Sequence, residues 1–489
     1  MRKHLFGACA LALLTGCATV GPNFQAPTTA SASYAAPGDE PNPGAIQADI
    51  GEKVVADWWT LFHSPQLDAI MREAIAGNRT LAQARARLAE ARAKAGEEGG
   101  LLNADLTAGA KRERADLSAF SGGAFSGVSI PGANFPTNPE FNLYSVGTSV
   151  SYNLDLFGGA RRRREALAAD SQAQARELDA AYLALTGNIV EQALIIGDAN
   201  IQIATLNEIV ANEEADLKTI RAARAAGGAS AADVVQAEGQ IAADRSQIPA
   251  QRQRIAAANH RMAVLVGKPP SDFAAPVFDA NSAELPEVLP VLIPSALVHG
   301  RPDILEAEAR LHAATADIGV ATAALYPNIT LSGALNQDAL SPDKIFSPIA
   351  TSWSLGAGLT APLFHSGQLK SRQRAAQAAR DAALASYEET VLEAFAQVDD
   401  ILQAIVHDNQ AYTEQLRALD AATARLTMLR NAHGLGGASV RQVLAADRDW
   451  RRMKLALQRD GSGRYADAAR LLLATATVPP GVAEAPAGR

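Results

Sequence analysis

The chain has 489 residues, of which 48% are hydrophobic and only 5% are aromatic. A length of this order indicates about two to four domains, and the apolar fraction is sufficient for large buried surfaces. The formal net charge of −8 at pH 7 argues against nucleic-acid binding, which requires an excess of positive charge.

The N-terminus has the pattern of a secretory signal peptide. Residues 1–4 form a basic start, with Arg2 and Lys3, and residues 5–14 form an apolar run that is too short to span a bilayer. Leu-Thr-Gly then precedes Cys17, as in a bacterial lipobox, which predicts cleavage after residue 16 and covalent lipid on Cys17. The mature chain then keeps one acylated cysteine, because Cys9 is removed, and forms no disulfide. The alternative is an ordinary signal peptide that happens to contain a cysteine.

The chain contains an internal repeat. Gly-Gly-Ala-Ser at residues 227–230 recurs at residues 436–439, and the same shift of 209 positions aligns Gly147 with Gly356. Chance alignment of Ala-rich sequence is the alternative, but the matching residues are not alanines alone. Each repeat is predicted to contain a strand, a loop, a second strand, a very long helix, a tight turn and a shorter helix.

Two segments in corresponding positions, residues 142–154 and 353–363, alternate between apolar and small polar residues. Their weaker partners are residues 103–111, placed by repeat position, and residues 329–336. This alternation is typical of a transmembrane β-barrel, although a strand in a soluble sandwich also alternates. Beyond the N-terminus we find no run of roughly 18 apolar residues, so a membrane crossing would need a closed barrel. The loops are predicted at the following residues: 119–140 and 337–350.

The helical segments are unusually long. Residues 159–226 and 367–433 would each span roughly 100 Å at 1.5 Å per residue. Their apolar residues recur every three or four positions, which is coiled-coil spacing, and one charged residue, Glu213, falls within this series. Two shorter helices, over residues 231–266 and 440–474, are predicted to run back along the long ones. Pro249 should bend the first of them.

Several motifs, taken in order along the chain, resemble the TolC-like outer-membrane factors of the NodT type. They are Val20-Gly21-Pro22-Asn23-Phe24 after the lipobox, Trp58-Trp59 with Asn78 and Leu81, and Arg301-Pro302-Asp303-Ile304 followed by Tyr326-Pro327. No single motif is specific, but the ordered set covers nearly the whole mature chain. The Arg-Pro-Asp motif itself suits the start of a helix, and we interpret it as an equatorial packing element.

The resemblance implies an α+β membrane protein without catalytic chemistry. Three protomers, each giving four strands, would form a twelve-stranded transmembrane β-barrel, continuous with a periplasmic α-helical barrel of coiled-coil hairpins. The predicted organisation is a lipoprotein signal peptide (1–16), a lipid-anchored extended segment (17–65), a first repeat (66–267), a Pro-rich equatorial linker (268–301), a second repeat (302–475) and a flexible C-terminal tail (476–489).

The implied function is that of an exit duct in the bacterial outer membrane. The homotrimer would receive small molecules from an inner-membrane RND-type pump through a periplasmic membrane-fusion adaptor, and outer-membrane lipids would surround it. No cofactor other than the lipid on Cys17, no metal and no nucleic acid is expected. Export of proteins in a type I secretion system is the nearest alternative, and a periplasmic coiled-coil scaffold without a barrel is the alternative outside the channel class.

The resemblance places the periplasmic tips at the two helix-hairpin turns. The predicted adaptor-contacting residues are Gly227, Gly228, Ser230, Gly436, Gly437 and Ser439. Glycine ends one helix and serine caps the next, so a purely structural role would also explain them. Asp233 is interpreted as a partner of the helix dipole in the first turn.

Two charged groups are further candidates. The family commonly has an Asp directly after an apolar pair at the second turn, but here Ala445 takes that place, so the usual acidic constriction is in doubt. The nominated pore-constriction residues are Arg441, Asp447 and Arg448, with solvent-facing charge as the alternative. Cations near helix N-termini need a compensating partner, and lipid phosphates would supply one. The predicted membrane-interface residues are Arg161, Arg162, Arg163, Arg164, Lys370 and Arg372.

The sequence carries no enzymatic motif. It contains no HExxH zinc motif, no phosphate-binding loop and no nucleophile elbow. The glycines of residues 356–361 mimic a dinucleotide fingerprint but lie within a predicted strand, which excludes that interpretation.

Overall fold

The computed structural model describes residues 19–28, 47–51, 54, 56–97, 102–114, 140–279, 282–286, 288–291 and 294–478. The predicted signal peptide, Cys17 and nearly all of the loop predicted at residues 119–140 lie outside the described residues. The chain divides into two compact units: the first contains residues 1–25, 92–170 and 311–383, and the second contains residues 26–91, 171–310 and 384–489. Each unit therefore draws on both sequence repeats.

In chain order, the strands and helices are as follows. They are β1 (Gln47–Ile50), α1 (Pro65–Gly77), α2 (Arg79–Glu97), β2 (Leu102–Arg114), β3 (Glu140–Leu154), α3 (Gly159–Ala225), α4 (Ala231–Val266), β4 (Val288–Val291), α5 (Pro294–Gly300), α6 (Pro302–Ala323), β5 (Asn328–Ala339), β6 (Thr351–Thr360), α7 (Gln368–Gly434) and α8 (Val440–Thr475). Short 3-10 helices, including Trp58–Phe62, lie between them.

The first unit is built on a four-stranded antiparallel sheet with the order β2-β3-β5-β6. All four predicted strands are present, including the weak one that was placed only by its repeat position. The loop predicted from Gln337 begins later, because residues 337–339 still pair with β3. The last strand ends at Thr360 rather than Leu363, since Pro362 has no N–H to donate to a sheet.

Large apolar side chains on this sheet are exposed in the chain on its own. Leu106 is 78% exposed, Leu355 is 81% exposed, and Trp353 is 73% exposed. Nothing in the described part of the unit covers β6, all of whose residues are exposed. An apolar patch of this kind must be covered by lipid or by another protein.

The second unit contains the large hydrophobic core. The long helices α3 and α7 contribute a stripe of buried residues at three- and four-residue spacing, among them Leu178, Leu185, Val391 and Val398. The predicted bounds of both long helices are correct to within one residue. The shorter β1 and β4 form a parallel pair in this unit.

One helix qualifies as a membrane span by length and composition, contrary to our expectation from the sequence. Among the described residues this is α3, Gly159–Ala225, whose most apolar window is 44% buried. The buried residues Ile189 and Ile196 of this helix belong to the core of the second unit. A core helix passes the same test, so this finding alone does not make α3 a transmembrane helix.

Helix α4 continues through Pro249, which removes one backbone hydrogen bond from its interior. The equivalent residue in α8 is Gln458, whose side chain accepts a hydrogen bond of 2.6 Å from Thr205 Oγ1. The two repeats therefore differ at this position, as the sequence indicates.

The Arg-Pro-Asp motif acts in packing, as predicted. Pro302 begins α6, and the Arg301 guanidinium binds the Asp303 carboxylate at 2.7 Å and the Ala474 carbonyl at 3.4 Å. The motif thus ties the start of α6 to the end of α8.

Asn78 is a second residue that joins distant parts of the second unit. Its Oδ1 accepts from Leu81 N at 2.8 Å at the start of α2, and its Nδ2 donates to the Leu265 carbonyl at 2.8 Å. We expect Asn78→Ala to cost about 1–3 kcal/mol, because a cap is lost and a buried carbonyl is left unpaired. Asn78→Asp keeps the cap alone and should cost less. Thermal unfolding followed by helical circular dichroism measures both, and equal losses would contradict this division of roles.

Candidate functional site at the hairpin turns

The turn between α3 and α4 is fixed by its own residues. Gly227 has φ +80°, a left-handed conformation that favours glycine, and Gly228 N donates to the Ala223 carbonyl at 2.8 Å. Ser230 caps α4, and its backbone N–H donates to the Asp233 carboxylate at 2.9 Å, which completes a capping box. These bonds lower the pKa of Asp233, which lies in the first turn of α4 as predicted.

The turn between α7 and α8 repeats this geometry. Gly436 has φ +78°, and Gly437 N donates to the Ala432 carbonyl at 2.8 Å. Ser439 caps α8, with Gln442 in the place that Asp233 takes in the first turn. The two turns therefore share one backbone shape but differ in charge.

The turns also differ in exposed apolar surface. Leu435 in the second turn is 89% exposed, whereas the residue that matches it in the first turn is Ala226. The sequence analysis concentrated on glycine and serine and missed Leu435. The signal was present, since Leu435 directly precedes the shared Gly-Gly-Ala-Ser and stands where the first repeat has an alanine.

The ends of the two hairpins contact each other near the turns. An apolar cluster that includes Val234 and Ile241 of α4 packs against Val440 and Leu444 of α8. At its edge the exposed Arg441 guanidinium binds the Asp233 carboxylate at 3.0 Å, although the two residues belong to different repeats. Arg441, nominated as a constriction residue, thus joins the hairpins in a single chain.

Asp447 does not lie where a pore-facing charge would lie, and this corrects its nomination. It is 2% exposed, and its carboxylate binds Arg430 at 3.0 Å and also Arg451, because α8 turns this residue toward α3 and α7. Arg448, one position further along the helix, is exposed, so its nomination stays a prediction.

Arg451 is the centre of a partly buried ionic network that we call the tip network: Glu213, Asp216, Arg430, Asp447 and Arg451. Its guanidinium binds Glu213 at 2.6 Å and Asp216 at 3.3 Å. The pKa of Glu213 is raised to about 7, chiefly by burial. Nearby Asp244 also raises this pKa, and its effect is larger than the opposite effect of Arg451. Burial likewise raises the pKa of Asp447. Three carboxylates thus compete for two guanidinium groups, with Glu213, Asp447 and Arg451 buried and Asp216 and Arg430 partly exposed.

The predicted membrane-interface arginines lie in the first unit and do not form one surface. Arg161 is bound by Asp155 through its side chain and through its backbone N–H at 2.9 Å, and Arg163 lies 3.7 Å from Asp317. Lys370 and Arg372 are exposed near the start of α7. The Asp155 carboxylate therefore offsets the cost of cations at the start of α3, a role that we had assigned to lipid phosphate.

Arg162 requires a correction, because it points away from solvent. The residue is 3% exposed and its guanidinium binds the backbone of residues 20 and 21. Its side chain is therefore not available to lipid phosphates, contrary to the prediction. Arg164 is partly buried, and its interface assignment stays a prediction.

The exposed groups at the turns suit the binding of a partner. Among the described residues, no group of three or more His, Cys, Asp or Glu side chains is placed to hold a metal ion. The exposed features are two serine-capped turns, one large apolar side chain and a few charges.

Comparisons with known proteins point to one family. The model of the family described as outer membrane efflux protein matches residues 70–268 and 292–477, which correspond to the two repeats. The chain is 31% identical over 428 residues to the pyoverdine export outer membrane protein OpmQ of Pseudomonas aeruginosa, covering 85% of this chain and 87% of that protein. It is 31% identical over 416 residues to the outer membrane protein OprJ of the same organism, covering 83% and 81%.

A solved structure gives the same result for the fold. The chain superposes on the outer-membrane channel OprN with a TM-score of 0.83 and 27% identity, over 94% of this chain and 99% of that one. The predicted fold class is confirmed: long helical hairpins and a small sheet arranged in two repeats.

We expect the tip network to make stability depend on pH. Because the pKa of Glu213 is raised from 4.5 to about 7, the stability that it contributes is complete below about pH 4.5 and is lost as the pH rises through 7. Glu213→Gln removes this titration. As the pH rises from 5 to 8, the free energy of unfolding of the variant should therefore increase relative to that of the native protein by on the order of 1–2 kcal/mol. Thermal melting at both pH values measures the difference.

The matched control is Glu214→Gln, since Glu214 is the neighbouring residue and lies on the surface in a pair with Arg245. It should change the pH dependence little, because exposed ion pairs contribute little. The same pH dependence in the native protein and in Glu213→Gln would contradict the role of Glu213.

Proposed function

The chain belongs to the outer membrane efflux protein family, and we propose that it forms the trimeric outer-membrane exit duct of a tripartite efflux pump, anchored by lipid on Cys17. The observation that carries this proposal is the open sheet of the first unit. Within the described residues β2 and β6 each pair with one strand only, which leaves the outer edge of each unpaired.

An open sheet of four strands is not stable in a bilayer. Every unpaired backbone N–H and C=O in hydrocarbon costs several kcal/mol, so strands in a membrane must close into a barrel. Four strands are too few to close around a lumen, whereas three copies supply twelve. The alternation of exposed apolar side chains with Ser354, Gly356 and Gly358 along β6 supports an apolar outside and a small, polar inside.

The hairpin turns support the choice of partners. In the trimer, three copies of each turn would face a periplasmic adaptor that leads to an inner-membrane RND-type pump. The exposed Leu435, the serine caps and Arg448 provide apolar, hydrogen-bonding and charged groups for such a contact. Members of this family are channel proteins, and we propose that this chain too acts passively, without catalysis. Type I protein secretion remains the alternative cargo, and the identity of the adaptor decides between the two.

A charge placed on the outside of the barrel tests the membrane assignment. We expect Leu355→Arg to destabilise the trimer by about 2–4 kcal/mol if the residue lies near the middle of the bilayer, because its side chain would face lipid. Ser354→Arg, one residue away on the opposite face, should be tolerated because the lumen holds water. The fraction of protein that migrates as a heat-resistant trimer measures both effects. Equal loss in the two variants would reject the proposed orientation of β6.

A photo-crosslinking amino acid at Ala231 tests the partner. This residue is exposed directly after the first turn, and Gln253 on the same helix, roughly 33 Å further along, is an exposed control position. We expect Ala231 to capture an RND-type adaptor in cells and Gln253 to capture none. Capture of a type I secretion adaptor would keep the duct and change its cargo. Capture of neither, with the protein correctly in the outer membrane, would reject the turns as the docking site.

A further inference from the structure

The segment that follows Cys17 lies against the first unit by backbone contacts. Val20 N donates to the Phe157 carbonyl at 3.1 Å, between the end of β3 and the start of α3. Gly21 has φ +91°, and a Cβ at this position would lie 2.5 Å from the Cα of Gly319 in α6. The two backbones touch directly, so only glycine fits at Gly21.

Arg162 holds this segment from the side of α3. Its Nε donates to the Val20 carbonyl at 3.2 Å, and its Nη2 donates to the Gly21 carbonyl at 3.2 Å and to Asn23 Oδ1 at 2.7 Å. One guanidinium thus binds three residues of the segment 20–23. Because two of the acceptors are backbone carbonyls, the grip fixes the position of the chain itself.

The buried charge of Arg162 is balanced locally. Its Nη1 donates to the Glu165 carboxylate at 2.8 Å, and His312 Nε2 lies 3.0 Å from the other carboxylate oxygen. Burial acts to raise the pKa of Glu165, but the bonds from Arg162 and His312 outweigh it and lower that pKa. The His312 ring in turn stacks on Phe24 with centroids 4.4 Å apart, which closes the contact on the far side of the segment.

The clamped segment is close in sequence to Cys17, the predicted site of lipid attachment. Thr19 packs on Gly158, where a Cβ would come within 2.4 Å of Thr19 Cγ2, and two residues span at most about 7 Å. Thr19, two residues after Cys17 in the sequence, therefore lies at the point where β3 ends and α3 begins. If β3 is in the membrane, this point is at the boundary of the bilayer, where acyl chains on Cys17 would enter.

We propose that Arg162 is a positioning residue for the lipid anchor: it clamps residues 20–23 to the junction of β3 and α3, so that the acyl chains enter the bilayer beside the barrel wall. The proposal rests on the proposed lipidation of Cys17. Without the clamp, residues 20–24 would be held only by the backbone contacts of Val20 and Gly21 and by the stacking of Phe24 on His312, and the point where the acyl chains enter the bilayer would be less well fixed. The neighbouring Arg161 and Arg163 contact acidic side chains and make no such bond to the segment.

Spin labelling of the full-length protein in its trimeric form tests the clamp. Gln25 is exposed just beyond the clamped residues, and Gln25→Cys introduces a thiol at which a nitroxide can be attached. We expect restricted motion of the nitroxide when Arg162 is present. Arg162→Met should increase its mobility several-fold, Asn23→Ala should increase it less because two carbonyl bonds persist, and Arg162→Lys should restore only part of the restriction.

The matched control is Arg161→Met, which removes the adjacent arginine of the same helix and should leave the nitroxide spectrum unchanged. Unchanged mobility in Arg162→Met, or equal mobility in Arg162→Met and Arg161→Met, would overturn the proposal. If Arg162→Met fails to form trimers, Asn23→Ala and Arg162→Lys still test the clamp. Asn23→Ala keeps the guanidinium and both carbonyl acceptors, and Arg162→Lys keeps a cation. Native-like mobility in both of these variants would overturn the clamp.

A separate measurement isolates the anchor. Protein without the added cysteine should incorporate labelled fatty acid and should take up no thiol reagent, because its one mature cysteine is acylated. Free thiol and no fatty acid would reject the lipid anchor, and with it the anchoring role of Arg162, whatever the nitroxide shows. Acylated protein whose segment is mobile even with Arg162 present would reject the clamp and leave the lipid anchor and the duct intact.

Discussion

Hydrogen bonding at the two open edges of the sheet governs much of the rest of this structure. Inside a bilayer no water is available to the outer edges of β2 and β6, so their backbone groups must pair with strands of other copies. The four strands therefore have no stable membrane form in a single chain. The apolar side chains of Leu355 and Trp353 also need a covering surface, since both are solvent-exposed in the single chain.

The helices were the easiest elements to predict, and their length explains why. A stripe of apolar residues over sixty-odd positions repeats its signal many times, so the bounds of α3 and α7 came out within one residue. Strands of ten to fifteen residues give fewer repeats. The strand β2 was recognised only because its partner repeat indicated where it should lie, and the ends of β5 and β6 depended on pairing that is not written in either strand alone.

The surroundings of the charged residues were harder to predict, because a run of identical residues has no periodicity that shows which of them face the interior. Four consecutive positions on an α-helix point in four directions about 100° apart, so the run of arginines could not all face one surface. Arg162 is the one that faces inward. An acid shortly before a helix start is a recognised signal, and Asp155 could have been identified by it. The backbone carbonyls that Arg162 binds could not have been identified in this way, since they belong to residues far away in the sequence.

The tip network shows the same division between local and distant information. Glu213 falls within the apolar series of its helix, and a charge at such a position predicts a buried partner. That this partner is Arg451, from the other repeat, depends on how the two hairpins pack. The sequence placed Asp447 near the second turn correctly, but only the packing of α8 shows that its carboxylate turns inward.

The difference between the two turns has a consequence for stoichiometry. The proposed trimer would display six turns, with one backbone shape repeated six times and two sets of side chains. A partner that reads only the shared shape could bind with six copies. A partner that needs Leu435 could bind with three, or with six copies in two unlike environments. The side chains that differ between the turns, Leu435 in place of Ala226 and Gln442 in place of Asp233, would therefore reduce an approximately sixfold set of turns to a threefold one.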